Sequence, residues 1–157
     1  MLQIFNSKEK AQFEKKLNTQ FGIQKIPGIL LRSGTERIFL FQGDLSEKQI
    51  TELDKNISIE RIGTYFAKEE ESKIANGGIR LSIEGTQILK DQIKENTFEL
   101  NAQQTDQWMK GHELDIQTGK NDFLIMSHKG DFLGTGKASA LKISNYIPKN
   151  RRLKEKS

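Results

Sequence analysis

The feature that most constrains the fold is a glycine-interrupted strand near the end of the chain, at residues 130–137. It follows an apolar run at residues 123–128 and a Lys-Gly turn signal, and this arrangement is typical of a β-hairpin. Gly134 and Gly136 then interrupt the second strand. A glycine inside a strand indicates a bulge or the close approach of another backbone. The pattern therefore predicts a β-rich C-terminal half with a backbone surface that a ligand can approach.

Positive charge is concentrated just after this strand. Residues 137–157 contain seven of the 25 basic residues and one glutamate, although the whole chain has a net charge of only +4. Basic residues interleaved with apolar ones are the electrostatic pattern of a nucleic-acid-binding surface. The last five residues are read as a solvated tail. Residues 137–152 are therefore predicted to contact an anionic polymer such as RNA.

A phosphate-binding P-loop is the competing interpretation, because residues 134–137 end in a Gly-Lys pair. A P-loop requires a glycine five residues before that Gly and a serine or threonine after the lysine. Asp131 and Ala138 occupy those two positions. The spacing therefore excludes a nucleotide site of this type.

Several other kinds of chemistry lack the residues that they need. The chain has no cysteine and only two histidines, which removes thiolate zinc sites, disulfides and thiol nucleophiles. Hydrolase and dinucleotide glycine motifs are also missing from the sequence. We therefore expect no catalytic residue, no metal and no cofactor. Without a long apolar run or a signal-like N-terminus, the expected location is the cytoplasm, with no membrane partner.

The first half has the pattern of a small α+β layer. Asn6 with Glu9 predicts a helix start, and Gly22 predicts its end. Two strands at residues 28–32 and 36–41 are separated by a Ser-Gly turn, which predicts a hairpin.

A second helix and a third strand follow. Ser46 with Gln49 opens the helix. Its apolar positions, expected to point inward, are Ile50, Leu53 and Ile57. The third strand is placed at residues 58–66.

A charge run followed by Asn-Gly-Gly, at residues 68–78, is the clearest break in composition. It predicts a domain boundary that divides the chain into an α+β domain (1–75), a second domain (76–153) and a basic tail (154–157).

The second domain shows short strands that are closely spaced, which predicts a small barrel or sandwich. Strands are expected at residues 79–83, 97–100, 113–116, 123–128, 130–138 and 142–147, with helices at 84–89 and 101–111. Asn101 with Gln104 caps the second of these helices. Its Trp108 is expected to be core rather than a base-stacking platform. For Tyr146, stacking on a base and packing in the barrel remain open alternatives.

Four blocks in this half resemble the C-terminal PUA-like module of the Nop/Sun (Fmu) family of RNA cytosine-5 methyltransferases. They lie at residues 79–85, 108–114, 130–137 and 145–152, in the order that the module has. The central ones are a Leu-Gly-x-Gly-Lys strand and an Asn-x-x-Pro-Lys-x-x-Arg segment. The first half more weakly resembles the pre-PUA domain that precedes PUA modules in small, stand-alone, archaeal-type ribosome-biogenesis proteins.

The resemblance implies an α+β fold, with an N-terminal pre-PUA layer followed by a PUA-like β-barrel. It implies RNA binding, of structured ribosomal or transfer RNA, in ribosome biogenesis or RNA modification. The methyltransferase domain of the family and its catalytic cysteines are missing from this sequence, so we expect no catalytic activity. Thr135 stands where the methyltransferases often carry a bulky aromatic, so the RNA-facing surface is expected to differ in detail.

The predicted RNA-binding residues are Arg80, Gly134, Gly136, Lys137, Asn145, Tyr146, Lys149, Arg151 and Arg152. The four C-terminal cations are expected to neutralise phosphates, and Arg80 to contribute from the adjoining strand. The glycines would allow close approach of the RNA. Asn145 would hydrogen-bond a base edge or a 2′-hydroxyl. The alternative is an interaction module, whose basic edge docks an RNA methyltransferase or a ribosome-assembly factor.

Overall fold

The structure, a computed structural model, describes residues 2–70 and 78–155. Its first part contains β1 (Leu2–Ile4), α1 (Ser7–Phe21), β2 (Ile29–Ser33), β3 (Arg37–Phe41), α2 (Glu47–Ile57), β4 (Thr64–Glu69) and β5 (Ile79–Leu81). Its second part contains α3 (Ile83–Ile88), β6 (Thr97–Glu99), α4 (Ala102–Met109), β7 (Phe123–His128), β8 (Asp131–Ala138) and β9 (Ile143–Ser144). Short 3-10 helices lie at Lys90–Gln92 and Lys149–Arg151.

The first sheet has the order β1-β2-β3-β4-β5, and every neighbouring pair is antiparallel. Strand β1 is not predicted from the sequence pattern, which groups β5 with the second half of the chain. In the structure β5 pairs with β4, where Lys68 lies opposite Arg80. The boundary expected at residue 76 lies outside the described residues, and the division into two domains stays a prediction.

One apolar core is shared by the two halves. Its members from the first sheet include Ile38 and Leu40, which alternate with outward-facing residues along β3. Helix α1 contributes Leu17 to the same cluster, and β7 contributes Ile125. Because strands of both sheets bury side chains in one cluster, the hydrophobic effect holds the two sheets together.

Three helix starts confirm the predicted caps. Asn6 accepts a hydrogen bond from the backbone N–H of Glu9 at 2.8 Å, and α1 ends at Gly22 with φ of 77°. The capping boxes at Ser46 and Asn101 are both present. At Asn6 the reciprocal bond differs, because the Glu9 carboxylate accepts from the Asn6 side-chain amide instead of the backbone.

Two expectations around α2 are wrong. Ile50 is the one buried residue of α2, whereas Leu53 and Ile57 are 39% and 67% exposed. The third strand, expected at residues 58–66, is found at Thr64–Glu69. Ser58 caps α2 in the left-handed conformation, with φ of 47°, so the strand cannot start there.

The second sheet has the order β6-β7-β8-β9 and is curled into a half-barrel, with β6 parallel to β7. The predicted α+β class is confirmed, as an N-terminal layer followed by a PUA-like module. The strand expected at residues 113–116 is wrong, since Leu114 makes only an isolated bridge to Ile143. The strand expected at residues 142–147 is reduced to Ile143–Ser144.

A second apolar cluster lies inside the curled sheet. Trp108 is fully buried in it and donates from Nε1 to the carbonyl of Leu133 at 2.9 Å, which confirms its predicted core position. A Cβ on Gly136 would lie 2.7 Å from both Trp108 and Ile143. The glycine therefore gives space to the tryptophan ring. No helix among the described residues is long and apolar enough to cross a membrane.

Candidate nucleic-acid interface

A cleft of about 510 Å³ lies between the two sheets. One wall is built by β3, β4, β5 and the approach to β4. The other wall is built by β8 and the segment at residues 146–151, with the start of α3 between the two walls. The lining residues include four arginines and one glutamate: Arg37, Arg61, Arg80, Arg151 and Glu84.

Strand alternation places the first wall. Along β3, Ile38 and Leu40 are in the shared core, so Arg37 and Phe39 point to the opposite face. Arg80 lies between two buried residues of β5 in the same way. The cleft therefore uses the outer face of the first sheet, and Arg37 and Arg80 come from the polar positions of that face.

A row of positive charges crosses this face. Arg37 lies directly opposite Lys68, and Lys68 lies directly opposite Arg80. Like charges directly opposite each other destabilise a sheet. Two acids reduce the repulsion between these cations, since Lys68 pairs with Glu36 at 3.2 Å and Arg80 pairs with Glu70 at 3.2 Å. Among the described residues, Arg37 forms no salt bridge.

Aromatic side chains lie beside these cations. Phe39 and Tyr65 are cross-strand partners, and their rings meet at 5.7 Å with an interplanar angle of 73°. The guanidinium carbon of Arg61 lies 5.8 Å from the centroid of the Phe39 ring. Tyr65 is half-buried and Arg61 is exposed. The first wall thus combines cations with a ring that solvent can reach.

Arg80 and Tyr146 connect the two walls. The guanidinium carbon lies 3.8 Å from the centroid of the tyrosine ring, a stacked cation–π contact. Tyr146 also packs against the shared core, which is the packing alternative, and base stacking by this residue stays a prediction. Burial raises the pKa of the Tyr146 hydroxyl, and the charge of Glu70 adds to this. The phenol therefore stays neutral at physiological pH and can donate a hydrogen bond.

Two polar atoms at this junction have no hydrogen-bond partner within the part of the chain that the structure describes. They are Arg80 Nε and Thr135 Oγ1, and both are buried. Buried polar groups are normally paired, because an unmade hydrogen bond costs about 1–3 kcal/mol. The base of the cleft is therefore a polar environment with unused hydrogen-bonding capacity.

The second wall carries one further cation and one special backbone position. Arg151 forms an ion pair with Glu84, in the first turn of α3. Gly134 has φ of 83°, and a Cβ there would lie 3.2 Å from the side chain of Ile83. This glycine therefore allows β8 to pack closely on the start of α3, and it also lines the cleft.

The segment that carries Arg151 is held in place by Asn145. The Asn145 side-chain amide donates to the carbonyls of Trp108 at 2.8 Å and His112 at 3.0 Å, and its oxygen accepts from the N–H of Ile147 at 2.8 Å. These bonds turn the chain away from β8 towards the end of α4. They explain why the last strand is shorter than its sequence pattern predicts.

Arg152 completes this attachment. Its Nε donates to the carbonyl of Ile147 at 2.8 Å. Its side chain lies against Gly111, where a Cβ would overlap it. The next backbone N–H, of Leu153, donates to the carbonyl of Met109 at 2.8 Å. The bonds of Asn145 and Arg152 thus hold residues 145–153 against α4.

The structure brings together only part of the predicted site. The predicted residues that line the cleft are Arg80, Gly134, Tyr146 and Arg151. Those that do not are Gly136, Lys137, Asn145, Lys149 and Arg152. Of this second set, Lys137 is half-buried with its Nζ 5.8 Å from the Phe123 ring, and Lys149 is exposed.

Three residues of the cleft are not among those predicted from the sequence: Arg37, Arg61 and Tyr65. For Arg37 a signal existed, because it alternates with Ile38 and Leu40 and so shares the polar parity of its strand. Arg61 had no comparable signal, since it lies in the irregular approach to β4. Among the described residues, no group of three or more metal-ligating side chains is placed to hold a metal ion.

Comparison with known proteins gives two matches. Residues 95–153 match the PUA domain of the methyltransferase RsmF family. A curated relative is the ribosomal RNA small subunit methyltransferase F of Psychromonas ingrahamii, which is 28% identical over 147 residues. The alignment covers 90% of this chain, so it extends through most of the N-terminal layer, but the chain spans only 28% of the length of the relative. The resemblance to the PUA-like module of the Nop/Sun methyltransferases is therefore confirmed, with residues 95–153 as the matched PUA domain.

Proposed function

We propose that this protein binds RNA, and that the cleft between its two sheets is the main contact surface. The observation that carries the proposal is the convergence of four arginines on one cleft with a single lining glutamate. Arginine is suited to phosphates because its planar guanidinium presents several donors at once. Phosphate contacts supply most of the affinity of such interfaces.

The cross-strand row supports the same proposal. Arg37, Lys68 and Arg80 lie side by side at some cost to the sheet. A polyanion that lies along the row would remove this repulsion. The gain on binding would then include relief of a repulsion that is present in the free protein.

The role that we propose is accessory. The relative is named as a methyltransferase of small subunit ribosomal RNA, which makes ribosomal RNA the first ligand to test, with transfer RNA the second. The family match covers a PUA domain, and the absence of catalytic activity stays a prediction. A place in ribosome biogenesis or RNA modification is part of this proposal. The cytoplasmic location rests on the sequence alone and also stays a prediction.

Within this proposal the nine predicted residues have different roles. Arg80, Tyr146, Gly134 and Arg151 form the contact surface. Lys137 and Lys149 add long-range attraction from outside the cleft. Asn145, Arg152 and Gly136 are proposed to position the surface. The side chains of Asn145 and Arg152 already bond backbone carbonyls, and the space beside Gly136 is filled by Trp108 and Ile143.

A protein-interaction role is the second candidate, favoured by the exposed Leu53 and Ile57 on α2. Fluorescence anisotropy with ribosomal and transfer RNA fragments, and duplex DNA as control, separates the two. With roughly three to five phosphate contacts, the affinity for RNA should fall about one to two decades between about 50 and 200 mM salt. Weak binding, or binding that is equal for RNA and DNA and insensitive to salt, would favour the interaction role instead.

A further inference from the structure

We propose that the cleft takes an unstacked nucleobase from single-stranded RNA, with Tyr65 as the stacking surface and Arg37 and Arg61 on the neighbouring phosphates. This inference rests on the proposed RNA binding, and it adds the class of RNA and the residue that selects it.

The size of the cleft favours single-stranded RNA. Its volume of about 510 Å³ falls within the range of small-molecule pockets, roughly 300–1,000 Å³. Proteins that bind double-stranded RNA instead contact backbone and minor groove over a long surface, about 16 base pairs for one common domain. A duplex cannot enter a cleft of this size, whereas one or two splayed nucleotides can.

Tyr65 has the properties of a base-stacking residue. It is half-buried, lines the cleft, and meets the buried Phe39 ring edge-to-face, a contact that limits the freedom of the tyrosine ring. An edge-to-face contact of this kind covers at most one face of the tyrosine ring. A ring that is already held in place loses little conformational freedom when a base stacks on it.

Tyr146 is a weaker candidate, although it lines the same cleft. Arg80 already stacks on its ring at 3.8 Å, and the ring packs against the shared core. Tyr146 therefore holds the two walls together. A base that displaced Arg80 would break this connection.

Arg37 and Arg61 are placed to hold the phosphates on either side of the base. Both side chains are exposed, and neither forms a salt bridge among the described residues. Arg37 is two residues from Phe39 on β3, and Arg61 lies above the Phe39 ring. The two cations thus lie near the aromatic pair and remain available for a ligand.

The test uses photo-crosslinking with a defined probe. The probe is a single-stranded RNA of about 12 nucleotides of mixed sequence, with 5-iodouridine at every uridine, and its matched duplex is the second arm. We expect the single strand to bind at least about tenfold more tightly than the duplex, and its crosslink to map to Tyr65.

Variants of the tyrosine supply the second measurement. Tyr65→Leu should weaken binding of the single strand about tenfold, whereas Tyr65→Phe should bind like the original protein because it keeps the ring. Phe41→Leu, on the same face of β3 but outside the cleft, is the matched control. Thermal unfolding of each variant separates a loss of stacking from a loss of fold.

Three results would overturn the inference. Equal binding of duplex and single strand would show that the cleft does not select unstacked bases. A crosslink confined to residues outside the cleft, or a Phe variant as weak as the Leu variant, would remove the stacking role of Tyr65. In these cases the proposed RNA binding would survive. If neither RNA binds, the proposed function fails and this inference fails with it.

Discussion

The two walls of the cleft use polar and basic side chains in opposite ways. On the first wall, built by β3, β4, β5 and the approach to β4, Arg37 and Arg61 are exposed, and no salt bridge involves them among the described residues. On the second wall, built by β8 and residues 146–151, Arg151 is paired with Glu84. Asn145 and Arg152 lie outside the cleft and hold this wall in place through bonds to backbone carbonyls of the protein itself. The wall that is less basic in sequence therefore offers more available charge.

The difference shows that density of charge along the chain is a poor guide to available charge in space. The arginines of the first wall come from three separate stretches of sequence and meet only because β3, β4 and β5 are neighbours. The basic C-terminal segment is local in sequence, but it must also attach the end of the chain to α4. Part of its hydrogen-bonding capacity is used for that attachment.

The largest expected effect concerns Asn145. Asn145→Ala removes three hydrogen bonds and leaves the His112 carbonyl and the Ile147 N–H without that partner, so the free energy of unfolding should fall by about 2–3 kcal/mol. The melting temperature should fall by roughly 4–12 °C. Asn150→Ala, at an exposed residue of the cleft, is the control and should change stability by less than about 0.5 kcal/mol. Equal stability of the two variants would break the structural assignment of Asn145.

A smaller effect separates two adjacent arginines. Arg152→Gln should lower the free energy of unfolding by about 1–2 kcal/mol, because it loses the bond to Ile147 and the packing on Gly111. Arg151→Gln removes only a partly exposed ion pair and should lower stability by less than about 1 kcal/mol. Thermal unfolding and RNA titration of both variants are the measurements. The comparison would fail if Arg151→Gln were the less stable variant and Arg152→Gln the weaker RNA binder.

Much of the fold could be predicted because its signals are local. The caps at Ser46 and Asn101, the hairpin before β8 and the buried Trp108 each follow from a few neighbouring residues. The exposed positions of α2 could not be predicted in this way. Its apolar periodicity is real, but whether Leu53 and Ile57 are covered depends on what packs there.

The residues of the candidate site also divide into those with a local sequence signal and those that depend on tertiary packing. Arg151 and Tyr146 could be found in sequence because they lie within one basic segment. The contribution of Arg37 depends on the pairing of β3 with β4, and that of Arg61 on an irregular segment folded beside Phe39. Asn145 has a side-chain amide suited to base recognition, yet this amide donates to the carbonyls of Trp108 and His112. Such internal use becomes visible only in three dimensions.

The most direct test of the account compares two pairs of charge removals by RNA titration across salt concentrations. Arg37→Gln with Arg61→Gln alters the cleft, and Lys149→Gln with Lys154→Gln alters the exposed C-terminal end by the same amount of charge. We predict that the cleft pair weakens binding about 30-fold and reduces the salt slope by about 1.4, whereas the C-terminal pair weakens binding less than about threefold. A larger loss from the C-terminal pair, with the cleft pair close to the original protein, would contradict the assignment of the cleft as the main RNA contact surface.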